Sequence, residues 1–146
     1  MTALKTIVVD DEPLALDLLC SYLEEMPSVE VVARCKNGKE ALEATARLEP
    51  DLLFLDIQMP GMTGFEVAKN LQSDQMPLLI FATAYEQYAV EAFEIHAVDY
   101  ILKPLDQERI ELSIQRAAER LAKETKAEET KAKVLNALEE MELNEE

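Results

Sequence analysis

The chain has 146 residues, 49% hydrophobic and 30% charged, with 14 basic against 30 acidic side chains and a formal net charge of −16. That balance suits a globular domain and argues against direct nucleic-acid binding, which needs basic patches to neutralise phosphates. No apolar run reaches the about 18 residues a membrane helix requires, and no signal-peptide core precedes the first strand pattern, so a cytoplasmic protein is expected.

Strand and helix patterns alternate along the chain. Residues 5–9 (KTIVV) read as the first strand and 13–25 as a helix, with Pro13 well suited to its first turn. Leu14, Leu18, Leu19, Tyr22 and Leu23 are expected to share its buried face, and Cys20 to be a small core residue. Residues 29–35 form a second strand, 38–48 a helix, 51–56 a third strand and 63–72 a third helix, capped by Thr63. A fourth strand covers 76–83, a weak helix 86–95, a short strand 98–102, and a last helix begins near Asp106. The alternation predicts a doubly wound parallel sheet. Its strands should be almost continuously apolar, as IVV, LLFL and LLIF are.

Ile110, Ile114, Ala117 and Leu121 give the last helix a docking stripe that fails over 123–133, a run of charges, threonines and alanines. A second stripe (Val134, Leu138, Met141) follows. The expected division is therefore a domain over 1–122 and a charged helical linker or tail over 123–146.

Four of the strand patterns end on polar residues: Asp10-Asp11, Asp56, Thr83 and Lys103-Pro104. In a parallel α/β sheet these carboxyl ends share one edge, where ligands bind. Three converging carboxylates repel one another and call for a cation. Oxygen ligands of this type suit Mg²⁺ better than zinc or iron. Lys103 adds an ammonium and Thr83 a hydroxyl donor. A carboxylate is a competent nucleophile toward phosphorus, so the constellation reads as a phosphoryl acceptor. With only three glycines, no Gly-rich phosphate loop is present.

In order and spacing, these residues resemble the receiver (CheY-like) domain of bacterial two-component response regulators, over about residues 4–120. The resemblance implies a flavodoxin-like sheet of order 2-1-3-4-5 and phosphorylation of Asp56 by a sensor histidine kinase. It further implies Mg²⁺ held by Asp11, Asp56 and the backbone carbonyl of Gln58, with Asp10 acting through water. Thr83 and Lys103 would contact the phosphoryl group, Pro104 would follow a cis peptide, and Tyr100 would be the aromatic that turns inward on activation. Gln58 and Tyr85 stand where side chains tune the phosphoryl lifetime. The only histidine, His96, is expected to be structural or exposed.

The segment FATAYEQYAVEAFEIHAVDYILKPLDQERI (81–110) is similar to receivers joined to LytTR-type DNA-binding domains. No basic, β-rich output domain follows here, so the chain reads as either a fragment or a stand-alone receiver working through protein contacts. DNA would be reached only through a missing output domain, and a homodimer is expected on phosphorylation. A haloacid-dehalogenase-type phosphohydrolase would need an acid where Gln58 stands. A flavin carrier would need a Ser/Thr/Gly loop where DDEPLA stands.

Overall fold

In the computed structural model, which describes residues 3–71 and 76–143, strands and helices alternate through the whole domain. They are β1 (Leu4–Val9), α1 (Pro13–Glu24), β2 (Val29–Cys35), α2 (Gly38–Leu48), β3 (Leu52–Leu55) and α3 (Gly64–Asn70), followed by β4 (Leu78–Thr83). A 3-10 turn (Glu86–Tyr88) then leads into α4 (Ala89–Glu94), β5 (Asp99–Leu102) and α5 (Gln107–Leu143). All strands pair in parallel, in the order β2-β1-β3-β4-β5. This is the expected doubly wound sheet.

The unbroken apolar strands are explained by two cores, because successive side chains of a strand point to opposite faces. Val8, Leu52, Phe54 and Ile80 pack with Leu16, Leu19 and Leu23 of α1 and with Ile110, Ile114 and Ala117 of α5. Ile7, Val9, Leu53, Leu55, Leu79 and Phe81 pack on the other face with Ala41, Val67 and Ala92 of α2, α3 and α4.

Helix ends follow local chemistry. Asn37 Oδ1 accepts from the Glu40 amide at 2.9 Å, and Thr63 Oγ1 from the Glu66 amide at 3.2 Å, capping α2 and α3. The final residue predicted for α3, Gln72, lies outside the described residues. β4 starts two residues later than expected, at Leu78, after Pro77, which has no N–H to give to a ladder. His96, exposed, ends α4 in the left-handed conformation at φ 64°.

The face expected for α1 needs correction. Leu14 is 84% exposed and Leu18 40%, whereas the buried side chains are Leu16, Leu19, Cys20 and Leu23. At 3.6 residues per turn, 16, 19, 20 and 23 form one stripe, and 14 and 18 lie on the reverse. Two stripes of similar apolarity competed, and the sheet took the one containing Cys20.

α5 runs as one helix from Gln107 to Leu143. Its docking stripe ends at half-buried Leu121, and every residue from 122 to 142 is exposed, Val134, Leu138 and Met141 included.

Candidate functional site

Strand register brings the polar ends together. Val9 pairs with Leu55, so Asp10 and Asp56 leave the sheet side by side, and the Asp56 amide donates to the Val9 carbonyl at 3.1 Å. Thr83 pairs with Leu102, and the Lys103 amide donates to the Thr83 carbonyl at 2.8 Å. The Lys103–Pro104 peptide is cis.

Asp10 and Asp56 are nearly buried, at 4% and 5% exposure, and Thr83 is fully buried. Asp11 is half-buried beside them. One carboxylate oxygen from each of Asp10, Asp11 and Asp56 lies within 4.8 Å of the others. The Lys103 ammonium reaches into this group, 2.7 Å from Asp10 Oδ2 and 3.1 Å from Asp56 Oδ2. The remaining oxygens are held by backbone: Asp10 Oδ1 accepts from the Glu12 amide at 2.9 Å and Asp56 Oδ1 from the Ile57 amide at 2.7 Å.

Two opposing effects act on these groups. Burial is the largest influence on Asp10 and raises its pKa, outweighing the hydrogen bond from Lys103; repulsion from Asp56 is the smallest contribution. At Asp10, burial therefore matters more than crowding by like charge. For Lys103, burial lowers the pKa, but the bonds and charges of Asp10 and Asp56 overrule it, so the ammonium is held charged.

Glycine is required at one position close to Asp56. A Cβ on Gly64, the first residue of α3, would collide with the Asp56 backbone carbonyl oxygen. The helix can approach the β3 end this closely only without a side chain there.

Gln58 and Tyr85 are both exposed at the rim. Gln58 Nε2 donates to the Tyr88 hydroxyl at 2.8 Å. The Tyr100 hydroxyl donates to the Tyr85 carbonyl, and the Tyr85 amide approaches Thr83 Oγ1 at 3.5 Å. Tyr100 is half-buried against the core that contains Phe81.

Sequence reasoning missed two sets of residues. Tyr88 read as one more residue of a weak helix, yet it meets Gln58 across the site. Asp99, buried in β5, accepts from Arg109 at 2.6 and 2.8 Å, from Ser113 at 2.6 Å and from Arg116 at 3.0 Å. A signal for this network existed: Arg109, Ser113 and Arg116 are spaced i, i+4, i+7, one residue before the apolar stripe, opposite a strand with an interior aspartate.

A five-stranded 2-1-3-4-5 sheet with carboxylates and a lysine at its carboxyl edge defines a receiver, and the chain belongs to the response regulator receiver domain family, whose family model matches residues 6–115. Among named relatives, it is 43% identical over 121 residues to the transcriptional regulatory protein BtsR of Escherichia coli strain K12, spanning 83% of this chain and 51% of that protein. A response regulatory protein of Vibrio cholerae is 41% identical over 137 residues, spanning 92% of this chain and 52% of its own. The chain thus spans about half the length of the curated relatives it matches. Among solved structures, the response regulatory domain of mrkE from Klebsiella pneumoniae superimposes with a TM-score of 0.76 at 35% identity, covering 82% of this chain and 98% of that one. The receiver domain of AraT from Geobacillus stearothermophilus gives 0.74 at 31% identity, covering 85% and 99%.

Proposed function

We propose that this chain is a cytoplasmic phospho-acceptor module that takes a phosphoryl group from a sensor histidine kinase onto Asp56. The observation that carries this reading is the Lys103 ammonium lodged between Asp10 and Asp56 on one sheet edge, with Asp11 beside them. In the transfer, an Asp56 carboxylate oxygen forms a bond to phosphorus as the bond from phosphorus to the kinase's histidine nitrogen breaks. Lys103 pairs with the phosphoryl oxygens that arrive, and Thr83 donates its hydroxyl to one of them.

The carboxylate cluster fits a hard divalent cation with open positions for water. Asp11, Asp56 and the Gln58 backbone carbonyl would hold Mg²⁺, with Asp10 acting through water; once bound, the ion offsets negative charge on the transferring group. The chain is an acceptor that assists its own phosphorylation, not an enzyme with a separate substrate.

Incubation with acetyl phosphate and Mg²⁺ is expected to add one phosphate by mass, and Asp56→Asn to add none. Labelling of that variant at wild-type stoichiometry would overturn the assignment. Asp11→Ala should also fail to label, but through loss of metal affinity, measurable by titration.

The signal leaves by the face of α4, β5 and α5. Thr83 drawn toward the phosphoryl group makes room for Tyr100, whose hydroxyl now rests on the Tyr85 carbonyl. Several kcal/mol of differential binding suffice to move such an equilibrium from mostly inactive to mostly active. Val90, Phe93, Leu102 and Leu112 lie exposed on this face and supply apolar area for a homodimer. Residues 1–122 form the receiver, and 123–146 connect it to an output. A LytTR-type DNA-binding domain is the proposed output; the length of the relatives and the regulator name of one of them support it. In sedimentation, a chain ending at residue 122 is expected to keep its phosphorylation-dependent dimer. Loss of that dimer would assign it to the tail instead.

A further inference from the structure

The segment between β4 and α4 is pinned at two points. Tyr100 holds the Tyr85 carbonyl, and Tyr88 accepts from the Gln58 side-chain amide at 2.8 Å. The second bond joins the loop after β3, two residues beyond Asp56, to the turn after β4 that follows Thr83. Its acceptor is fixed from the core outward. The Tyr88 ring meets Phe65 edge-on at 6.0 Å and Tyr85 at 6.1 Å, and Phe65 leans on fully buried Phe81 at 5.2 Å. Such edge-to-face contacts orient rings as well as bury them. An exposed glutamine without a partner would sample several rotamers; this one is tied to a hydroxyl that packing holds in place.

We propose that Tyr88 is a positioning residue that holds the Gln58 amide and so sets how long the phosphoryl group survives. The inference rests on the reading of Asp56 as acceptor. In hydrolysis, a water oxygen forms a new bond to phosphorus as the bond from phosphorus to the Asp56 oxygen breaks. The carboxylate is regenerated, and the proton of the water leaves with the phosphate or to solvent. A glutamine beside a phosphoryl group speeds this step by orienting the attacking water. With Nε2 engaged by Tyr88, Gln58 loses one donor and most of its rotational freedom, and hydrolysis is slow while the bond holds. Because the Tyr85 carbonyl belongs to the same short segment, movement of Tyr100 also displaces Tyr88. Lifetime and switching are thereby coupled through residues 85–88.

The test uses the whole chain labelled with acetyl phosphate and Mg²⁺, then freed of donor, with loss of phosphate followed by mass. Tyr88→Phe keeps the ring and its packing but removes the hydroxyl. Label is expected to decay faster by a factor of about three to ten, the range set by one hydrogen bond. In a Gln58→Ala background the same Tyr88→Phe change should have no further effect, which a merely structural role for Tyr88 would not produce. Decay of Tyr88→Phe at the wild-type rate, or an equal acceleration with and without Gln58, would overturn the proposal. A wild-type chain that takes no label on Asp56 would instead overturn the acceptor reading beneath it.

Discussion

Replacing Asp99 with alanine is expected to cost about 3–5 kcal/mol of folding stability, the range for removing one partner of a buried ion pair. Asp99 is 3% exposed and accepts from two arginines, a serine and the Tyr100 amide, so its loss orphans several donors together. Among the described residues β5 is an edge strand paired with β4, and the Asp99 network joins it to α5 beside the core packing of Ile101 against Ile110 and Ile114. Burial alone would raise the pKa of Asp99, but the bonds from Arg109, Ser113 and the Tyr100 amide overcome it and lower the value from 3.8 to about 2. A carboxyl with a depressed folded pKa stabilises the fold above its unfolded value, and that contribution is lost as pH falls through the folded one. The window is therefore between pH about 4 and about 2, and the loss across it is about 2 kcal/mol. Urea unfolding at pH 7 and across this acid range checks both statements. A cost below about 1 kcal/mol for Asp99→Ala would show that the arginines are solvated well enough without their partner.

Lys103→Met is expected to be the most damaging change at the site itself. It leaves Asp10 and Asp56 buried with no cation between them, which again costs about 3–5 kcal/mol. Labelling of Asp56 should fall severely as well, because the phosphoryl oxygens lose their ammonium partner. The two effects separate in a double variant. Asp10 has a raised pKa, chiefly from burial, so its charge opposes folding above that value and stops doing so once the group is protonated. Asp10→Asn in the Lys103→Met chain should recover part of the stability while leaving labelling impaired. Lowering the pH through the Asp10 pKa should recover stability in the same direction. If Lys103→Met unfolds at the wild-type urea concentration at pH 7, the ammonium is not what makes the buried carboxylates tolerable.

Much of the fold was legible because burial leaves a trace in composition. IVV, LLFL and LLIF could be read as two-faced strands, since only strands covered on both sides can be apolar at every position. Asp10, Asp11, Asp56, Thr83 and Lys103 stood out because each interrupts or ends such a run. The α1 face was not legible: Leu14 and Leu18 are as apolar as Leu16 and Leu19, and period alone does not choose between two stripes. Nor was the cause of the strained carboxyl at Asp10, which depends on depth of burial rather than on the number of neighbouring charges.

By itself, then, the sequence determined the element order, the parallel sheet and the identity of the polar residues at its carboxyl edge, because local period and strand-end chemistry are written in consecutive residues. The tertiary structure alone decided which side chains meet. Lys103 between two aspartates, Asp99 under two arginines, and Gln58 on Tyr88 each join segments whose approach is set by strand register and helix packing. Residues 47 apart, as Lys103 and Asp56 are, carry no mutual signal in a single chain until the sheet aligns them.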